Sequence, residues 1–264
     1  MAETSWLKDN LSDAKLAIVD VRAKERYDAG HIPGAVWYDP AKLKDPDDKL
    51  YVIRDTLFTE QMSKLGVTNA KTVVAYDDNA GLSSTRLWWV LWYYGHNAAM
   101  VLNGGFPKWE KESLAVTKDA PKVEPASFKT AINENVLCAI DVVKKESAAT
   151  DSSTVILDVR SPAEFTGADV RAAKGGHIPR SVNLDWTRSM TEADPKVWKS
   201  APELRRQFEQ VGIKPGSQVI TYCQTGVRAA HSLFTLRLVG IDGTRNYDGS
   251  WQEWGNNKDT PVSR

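Results

Sequence analysis

The amino-acid sequence predicts an α/β protein made of two tandem domains, each a mainly parallel sheet flanked by helices. Three observations lead to this prediction. The 264 residues suit two domains of about 130 residues each. Four short motifs occur twice, in the same order, at a spacing of about 145 residues. Short apolar runs alternate with segments of helical period, which is the pattern of parallel strands connected by helices.

The repeat rests on four matched blocks of sequence. The first block of each copy is an apolar run that ends in Asp-Val-Arg, and the second contains Gly-His-Ile-Pro. The third is an apolar run that ends in tyrosine, and the fourth is rich in glycine and tryptophan. The matched ranges are 18–22 with 156–160, 30–36 with 176–182, 73–76 with 219–222, and 103–109 with 247–254. A repeat of this length indicates a duplicated domain rather than a solenoid, whose units span about 20–50 residues.

The predicted elements follow the repeat. The expected buried strands cover residues 16–21, 72–76, 155–159 and 218–222. The expected amphipathic helices include residues 59–65, 202–209 and 228–238. Between the two copies lies a stretch rich in proline and charged residues, which favours an exposed linker. The expected division is a first domain over 1–115, a linker over 116–129 and a second domain over 130–264.

Composition and charge argue against several classes of function. The chain has 34 basic and 34 acidic residues, so neither nucleic acid nor an anionic membrane is expected as a partner. No apolar run reaches the roughly 18 residues needed to cross a bilayer, and no secretion signal is recognisable, so we expect a cytoplasmic protein. We also expect a monomer. The two cysteines are then expected to be reduced. The histidines and cysteines lack the spacing of metal ligands, so neither a metal nor another cofactor is expected.

Cys223 is the residue that carries the predicted chemistry. It follows a predicted strand and precedes Gly226 and a predicted helix, so it lies at the carboxyl edge of a parallel sheet, where such folds bind ligands. Backbone N–H groups, the helix dipole and the charge of Arg228 all favour the thiolate over the thiol. Cys223 is therefore predicted to be a nucleophile. Cys138 lies within an apolar run and is predicted to be a buried structural cysteine.

The chain as a whole resembles the tandem-domain rhodaneses, which are thiosulfate and 3-mercaptopyruvate sulfurtransferases. The resemblance rests on Phe165 and on the ranges 158–160, 176–179, 223–228 and 247–254. It implies two rhodanese folds, with the active cysteine in the second, and a double-displacement cycle. Cys223 would take a sulfane sulfur from a donor, hold it as a persulfide and pass it to cyanide or a thiol. Asp77 stands at the matching position of the first copy, so that domain is expected to be catalytically inactive.

The loop over 223–228 bears on the identity of the substrate. Four residues separate Cys223 from Arg228, whereas related phosphatases and arsenate reductases have five, so a single sulfur atom fits better than phosphate. Thiosulfate, an oxyanion, would be held by backbone N–H groups and arginine side chains. The candidate substrate-binding residues are Gln224, Thr225, Gly226, Val227 and Arg228, with Arg180 or Arg188 contributed by neighbouring loops.

The sequence favours thiosulfate as the donor and leaves two alternatives open. The loop is closest to those of bacterial thiosulfate sulfurtransferases, and Glu164 stands where the mercaptopyruvate enzymes place a substrate-binding arginine. The first alternative is nevertheless a 3-mercaptopyruvate sulfurtransferase. The second is a carrier that delivers persulfide sulfur to a thiol-bearing partner protein, because Gln224 and Thr225 are small and uncharged and would leave the loop open.

The remaining conspicuous residues are expected to stabilise the fold. Several occur in both copies, so one member of each pair lies in the domain without the nucleophile, which favours a structural role. These residues are Asp20 with Arg22, Asp158 with Arg160, His31, His177, His231, Trp251 and Trp254. Trp251 follows the last predicted strand and is also a candidate to line the pocket.

Overall fold

The structure is a computed structural model that describes every residue from Met1 to Arg264. The chain forms two compact units. The first comprises Met1–Asn133 and Glu192–Trp198, and the second comprises Glu134–Thr191 and Lys199–Arg264. The boundary therefore lies later than the sequence predicts, because the expected linker packs on the first unit. Phe128 is buried there, and its N–H donates to Ser63 Oγ at 3.1 Å.

The first unit is built on a four-stranded sheet. Its strands are β1 (Leu16–Asp20), β2 (Val36–Trp37), β3 (Thr72–Tyr76) and β4 (Ala99–Val101). All pairings are parallel, and the strand order is β2-β1-β3-β4. Its helices are α1 (Thr4–Asp9), α2 (Lys24–Ala29), α3 (Asp55–Lys64), α4 (Leu82–Tyr93) and α5 (Gly105–Lys111). Every residue of β1 and β3 after the first is buried, as expected for parallel strands covered on both faces.

The second unit repeats this plan and adds an edge strand. Its strands are β5 (Leu137–Cys138), β6 (Thr154–Asp158), β7 (Val182–Asn183), β8 (Gln218–Tyr222) and β9 (Thr244–Tyr247). They are parallel, in the order β5-β9-β8-β6-β7. Its helices are α6 (Ile140–Ala148), α7 (Pro162–Thr166), α8 (Ala201–Gln210), α9 (Val227–Leu238) and α10 (Ser250–Trp254). The prediction of two mainly parallel sheets flanked by helices is confirmed.

Residues at equivalent positions of the repeat make equivalent contacts in the two units. Trp109 and Trp254 are both fully buried, and each indole N–H donates at 2.8 Å to a backbone carbonyl, of Ala115 and Pro261 respectively. Both tryptophans thus fasten the segment that follows the last helix of their unit. The sequence repeat is therefore also a repeat of structure.

The helices that follow the central strands are embedded in the core. In α4 the residues from Ser84 to Leu91 are all buried, and in α9 the same is true from Ala229 to Leu236. A helix that is buried on all sides is held by packing around its whole circumference. Each therefore gives a fixed base to the loop that precedes it.

Candidate active site

The loop between β8 and α9 is short and tight. Cys223 comes directly after Tyr222, the last residue of β8, and α9 begins at Val227. Gly226 caps the helix with φ 79°, in the left-handed region that favours glycine. A Cβ atom on Gly226 would lie 2.2 Å from Asp248 Oδ1, so a larger residue does not fit. The sequence thus places Cys223 at the carboxyl edge of the sheet, as predicted.

The backbone of Cys223 is held by the segment that starts α10. The Cys223 N–H donates to Ser250 Oγ at 3.1 Å, and the Cys223 carbonyl accepts from the Trp251 N–H at 2.9 Å. The next residue is held in the same way, because the Gln252 N–H donates to the Gln224 carbonyl at 2.9 Å. Cys223 itself is buried. The nucleophile candidate therefore lies on a rigidly anchored stretch of backbone.

Arg228 makes a bidentate ion pair with Glu164. Its two terminal nitrogens donate to the two oxygens of Glu164 at 2.7 and 2.8 Å, and Glu164 is fully buried. Glu164 also completes a capping box at the start of α7 with Ser161. From the sequence, Glu164 is expected only to remove a cation from the site. Its main effect is to balance the charge of Arg228, so this arginine is not a free anion-binding group.

The two partners stabilise each other's charged forms. Burial opposes ionisation of Glu164, but the hydrogen bonds and charge of Arg228 outweigh it and lower the pKa of Glu164 to about 2. Burial likewise tends to lower the pKa of Arg228, but the hydrogen bonds that it donates to Glu164, together with its electrostatic interactions with Cys223 and Glu164, raise the pKa. Arg228 is therefore electrostatically coupled to both Glu164 and Cys223.

The other loop residues differ in how far they reach solvent. The Gln224 side chain donates to the Arg171 carbonyl at 3.0 Å and to Gln252 Oε1 at 3.2 Å, so it joins the loop to two neighbouring segments. Thr225 is exposed, and Val227 is half-buried as the first residue of α9. The loop thus presents Thr225 to solvent and keeps Cys223 buried.

Arg171 is a site residue that sequence analysis missed. Its carbonyl accepts from Gln224, its guanidinium pairs with Asp169 at 2.7 Å, and it lies 3.7 Å from Glu164. About half of its side chain is exposed, so it is the more accessible of the two arginines near the loop.

The repeat held a signal that could have drawn attention to Arg171. In the second copy twelve positions separate Phe165 from His177, whereas in the first copy four separate Tyr27 from His31. Both pairs stack ring on ring, with centroids 3.7 and 3.9 Å apart, so they mark equivalent places. The additional residues of the second copy, which include Arg171, therefore form an insertion that lies beside the loop.

The matching loop of the first unit, between β3 and α4, surrounds one of its own side chains with hydrogen-bond donors. Asp77 takes the place of Cys223 after β3. Its Oδ1 accepts from the N–H groups of Asn79 and Gly81 at 3.2 and 2.9 Å. Its Oδ2 accepts from the N–H and the hydroxyl of Ser84 at 2.8 and 2.9 Å. Burial raises the pKa of Asp77 against the effect of these hydrogen bonds. The loop at the start of the helix thus gathers N–H donors around one acceptor.

Comparison with known families identifies the fold and its chemistry class. The Rhodanese-like domain family matches residues 3–112 and 140–257, one match in each copy of the repeat. The chain belongs to the rhodanese family. This confirms the resemblance drawn from the sequence and, with it, the prediction of a tandem rhodanese of the sulfurtransferase class.

The rhodanese chain is similar over its whole length to proteins with different names. Sulfur carrier protein TtuD of Thermus thermophilus is 32% identical over 281 residues, which cover 100% of this chain and 96% of that protein. Thiosulfate sulfurtransferase of Pseudomonas aeruginosa is 32% identical over 266 residues, which cover 98% and 95%. The structure of the 3-mercaptopyruvate sulfurtransferase SseA of Escherichia coli matches with TM-score 0.83 and 28% identity, covering 95% of this chain and 98% of that one.

The structure does not bring Arg180 to the rhodanese loop. Its guanidinium donates to the carbonyls of Glu146 and Ser152 at 2.7 and 3.1 Å. Ser152 precedes β6, so these contacts lie toward the amino edge of the sheet, whereas Cys223 lies at the carboxyl edge. The expectation that Arg180 binds substrate is therefore corrected. Arg188 follows β7 in an exposed turn.

The aspartate and arginine that end the first motif form the same ion pair in both domains, as expected for residues that stabilise the fold. Arg22 pairs with Asp20 and Arg160 with Asp158, at 2.6 Å in both rhodanese domains. Each arginine also donates at 2.7 Å to the carbonyl of the glycine that precedes the histidine of the Gly-His-Ile-Pro motif. The arginine thus fastens this motif to the end of the first long strand in each domain.

Several other predictions concern packing. Trp254 is buried, and His231 is buried edge-on against Trp186 with 4.9 Å between ring centroids. Burial raises the pKa of Cys138 to about 12, as expected for a structural thiol. Trp251 is buried with its ring 4.4 Å from the Arg160 guanidinium.

No group of three or more His, Cys, Asp or Glu side chains is arranged to hold a metal ion. No helix has the length and apolar character required to span a membrane.

Proposed function

We propose that this protein is a thiosulfate sulfurtransferase in which Cys223 is the nucleophile. The Cys223 thiolate attacks the outer sulfur of thiosulfate, the S–S bond breaks, and sulfite leaves with the bonding electron pair. Cyanide or a thiolate then attacks the outer sulfur of the resulting persulfide. Thiocyanate, or the acceptor persulfide, leaves, and the Cys223 thiolate is restored.

The observation that carries this proposal is the position of Cys223 at the start of a buried helix of twelve residues. Backbone N–H groups at such a position stabilise negative charge, and the matching loop of the first unit, which is one residue longer, directs such groups at the Asp77 carboxylate. The thiolate that attacks the donor and the thiolate released from the persulfide both carry negative charge on sulfur. The same set of donors therefore serves both halves of the cycle.

The charges beside the loop favour thiosulfate over mercaptopyruvate. Glu164 places a buried carboxylate next to the loop, and its partner Arg228 is held in a bidentate ion pair with it. The mercaptopyruvate enzymes place a substrate-binding arginine at this position, so the carboxylate of such a donor would meet the Glu164 carboxylate here instead of a cation. Thiosulfate can bind through the half-exposed Arg171 and backbone N–H groups.

The test is a steady-state assay of thiocyanate formation with thiosulfate and with mercaptopyruvate on one preparation. We expect the larger kcat/KM with thiosulfate. Cys223→Ala should reduce turnover at least 1,000-fold, whereas Cys138→Ala, which removes the buried structural thiol, should retain most of the activity. Full activity in Cys223→Ala, or a clear preference for mercaptopyruvate, would contradict the proposal.

A second candidate function is supported by the exposure of Thr225 and by the ion pair of Arg228. A loop with no unbalanced charge and a small polar residue at its mouth suits the thiol of a partner protein as sulfur acceptor. On this reading the protein is a persulfide carrier. Mass spectrometry would then show one added sulfur on Cys223 that passes faster to a protein thiol than to cyanide, and the reverse order of rates would contradict it.

A further inference from the structure

Ser250 adopts a backbone conformation that disfavours a serine. Its φ is 53°, in the left-handed region that residues with a side chain rarely adopt, and it is fully buried. Such strain persists only where the surrounding structure imposes it, and it is concentrated at functional sites. Ser250 follows β9 and begins α10, the segment that holds the backbone of Cys223.

The Ser250 hydroxyl donates one hydrogen bond and accepts another. It donates its proton to the Tyr247 carbonyl at 2.7 Å, so its oxygen is left to accept the Cys223 N–H at 3.1 Å. Together with the Trp251 N–H on the Cys223 carbonyl, this bond holds Cys223 from both sides. The rotation of the Cys223 backbone, and therefore the direction of its Cα–Cβ bond, is fixed by these two contacts.

The first unit offers an internal comparison. Gly105 occupies the matching position with φ 55°, where a Cβ atom would lie 2.2 Å from the Asp77 carbonyl oxygen. The contact equivalent to that of Trp251 is kept, because the Phe106 N–H donates to the Asp77 carbonyl at 2.8 Å. The left-handed turn and the carbonyl contact are therefore achieved without a hydroxyl. Only the unit with the cysteine has a serine here and bears the strain.

We propose that Ser250 is a positioning residue for the nucleophile, whose hydroxyl sets the direction of the Cys223 sulfur. The inference rests on the proposed function, since it presupposes that Cys223 carries the sulfur. It explains why a strained serine stands where glycine would be relaxed. An error of about 1 Å in the place of a reacting atom can lower a rate by about 100-fold, so a fixed direction has a direct effect on turnover.

Two substitutions separate the hydroxyl from the strain. Ser250→Gly removes both, and Ser250→Ala removes the hydroxyl but keeps the strain. We expect both variants to lower kcat for thiosulfate and cyanide by about 10–100-fold with less than about a threefold change in KM. Loading of sulfur onto Cys223, followed by mass spectrometry in a single turnover, should slow by the same factor. Ser250→Gly should nevertheless melt at or above the melting temperature of Ser250→Ala.

A matched control is available at Ser113, which is exposed, has φ 54° and lies in the first unit. Ser113→Gly relieves the same kind of strain and should keep the wild-type kcat. Wild-type kcat in Ser250→Gly, with Cys223→Ala inactive, would overturn the positioning role and leave the proposed function intact. Activity in Cys223→Ala would overturn both. Rate losses that follow melting temperature across the three serine variants would also overturn the positioning role.

Discussion

At the scale of single residues, the pair of Glu164 and Arg228 sets the charge beside Cys223. A free arginine would attract thiosulfate, carboxylate donors and phosphate alike. With Glu164 bound to both terminal nitrogens, the guanidinium is neutralised and held in one orientation. The ion pair therefore weakens the attraction of Arg228 for anions in general, and it fixes the position of this side chain at the start of α9.

Removing the charge of Glu164 should strengthen the binding of thiosulfate. Glu164→Gln keeps the size of the side chain and an oxygen for the capping box with Ser161, but it leaves the charge of Arg228 unbalanced. We expect KM for thiosulfate to fall about three- to tenfold at low ionic strength and the effect to shrink at high salt, as measured by steady-state kinetics.

The chain provides a control for this substitution. Glu203 completes a capping box with Ser200 at the start of α8 and has no arginine bound to it in the way that Arg228 binds Glu164. Glu203→Gln should therefore leave KM unchanged. A rise in KM in Glu164→Gln would show that the ion pair helps binding by holding the loop, and it would contradict the charge argument.

The same pair makes stability depend on pH in acid. The pKa of Glu164 is lowered from 4.5 to about 2, so the ionised carboxylate stabilises the folded state. This contribution is complete above about pH 5 and is lost as pH falls toward 2. At pH 7 we expect Glu164→Gln to be less stable by about 2 kcal/mol, allowing for the partial exposure of Arg228. Urea unfolding of both proteins should show this difference shrinking below pH 5, and a constant or growing difference would contradict it.

The residues of the site were only partly predictable, for a physical reason. Cys223 could be found because a strand, a glycine and a helix surround it along the chain. The role of Glu164 could not, because its partner lies 64 positions away and a single long-range pair leaves no periodic pattern. Arg180 was misplaced because its closeness to the Gly-His-Ile-Pro motif in sequence says nothing of the sheet edge to which its side chain turns.

At the scale of elements, the insertion before the second Gly-His-Ile-Pro motif is fastened by Lys174. Its ammonium group donates at 2.6 Å to the carbonyls of Asn257 and Thr260 and at 3.0 Å to the Thr260 hydroxyl. Its own carbonyl accepts from the Trp251 indole at 3.2 Å. One lysine thus joins the insertion to α10 and to the carboxyl-terminal segment.

Removal of the ammonium group should loosen this junction. Lys174→Met keeps the aliphatic part of the side chain but leaves three acceptors without their donor, which should lower the free energy of unfolding by about 1–3 kcal/mol. Urea denaturation at pH 7 would measure it. Lys122→Met is the control, because that side chain is 92% exposed and its loss should change stability by less than about 0.5 kcal/mol. Equal effects of the two substitutions would show that Lys174 is dispensable.

The central elements were the most predictable part of the fold. The strands expected over 72–76 and 218–222 match β3 and β8, because continuous apolar runs mark strands buried on both faces. The helix expected from residue 228 begins one residue earlier, at Val227. The short strands β2, β5 and β7 have two residues each and carry too few positions for any periodicity to appear.

At the scale of the whole molecule, duplication has produced two loops that occupy equivalent places after a central strand. The ion pairs beside these two loops have their acidic and basic partners interchanged. In the first unit Arg26 on α2 pairs with Asp78 in the loop, whereas in the second unit Glu164 on α7 pairs with Arg228. The loops also differ in length, since α4 begins five positions after Asp77 and α9 begins four positions after Cys223. The shorter loop has a cysteine, and the longer one is filled by a carboxylate.

This difference in length predicts that a cysteine alone cannot activate the first unit. In the Cys223→Ala background, Asp77→Cys would place a thiol where the N–H groups of Asn79, Gly81 and Ser84 now surround two carboxylate oxygens. A single sulfur does not fill this wider ring, so we expect less than about 1% of wild-type thiocyanate formation and no persulfide by mass spectrometry after exposure to thiosulfate. The single Asp77→Cys variant, with Cys223 intact, should keep wild-type kcat and so serves to show that the protein still folds. Substantial sulfur loading of the double variant would mean that the cysteine at the start of the helix suffices, and that loop length does not select sulfur.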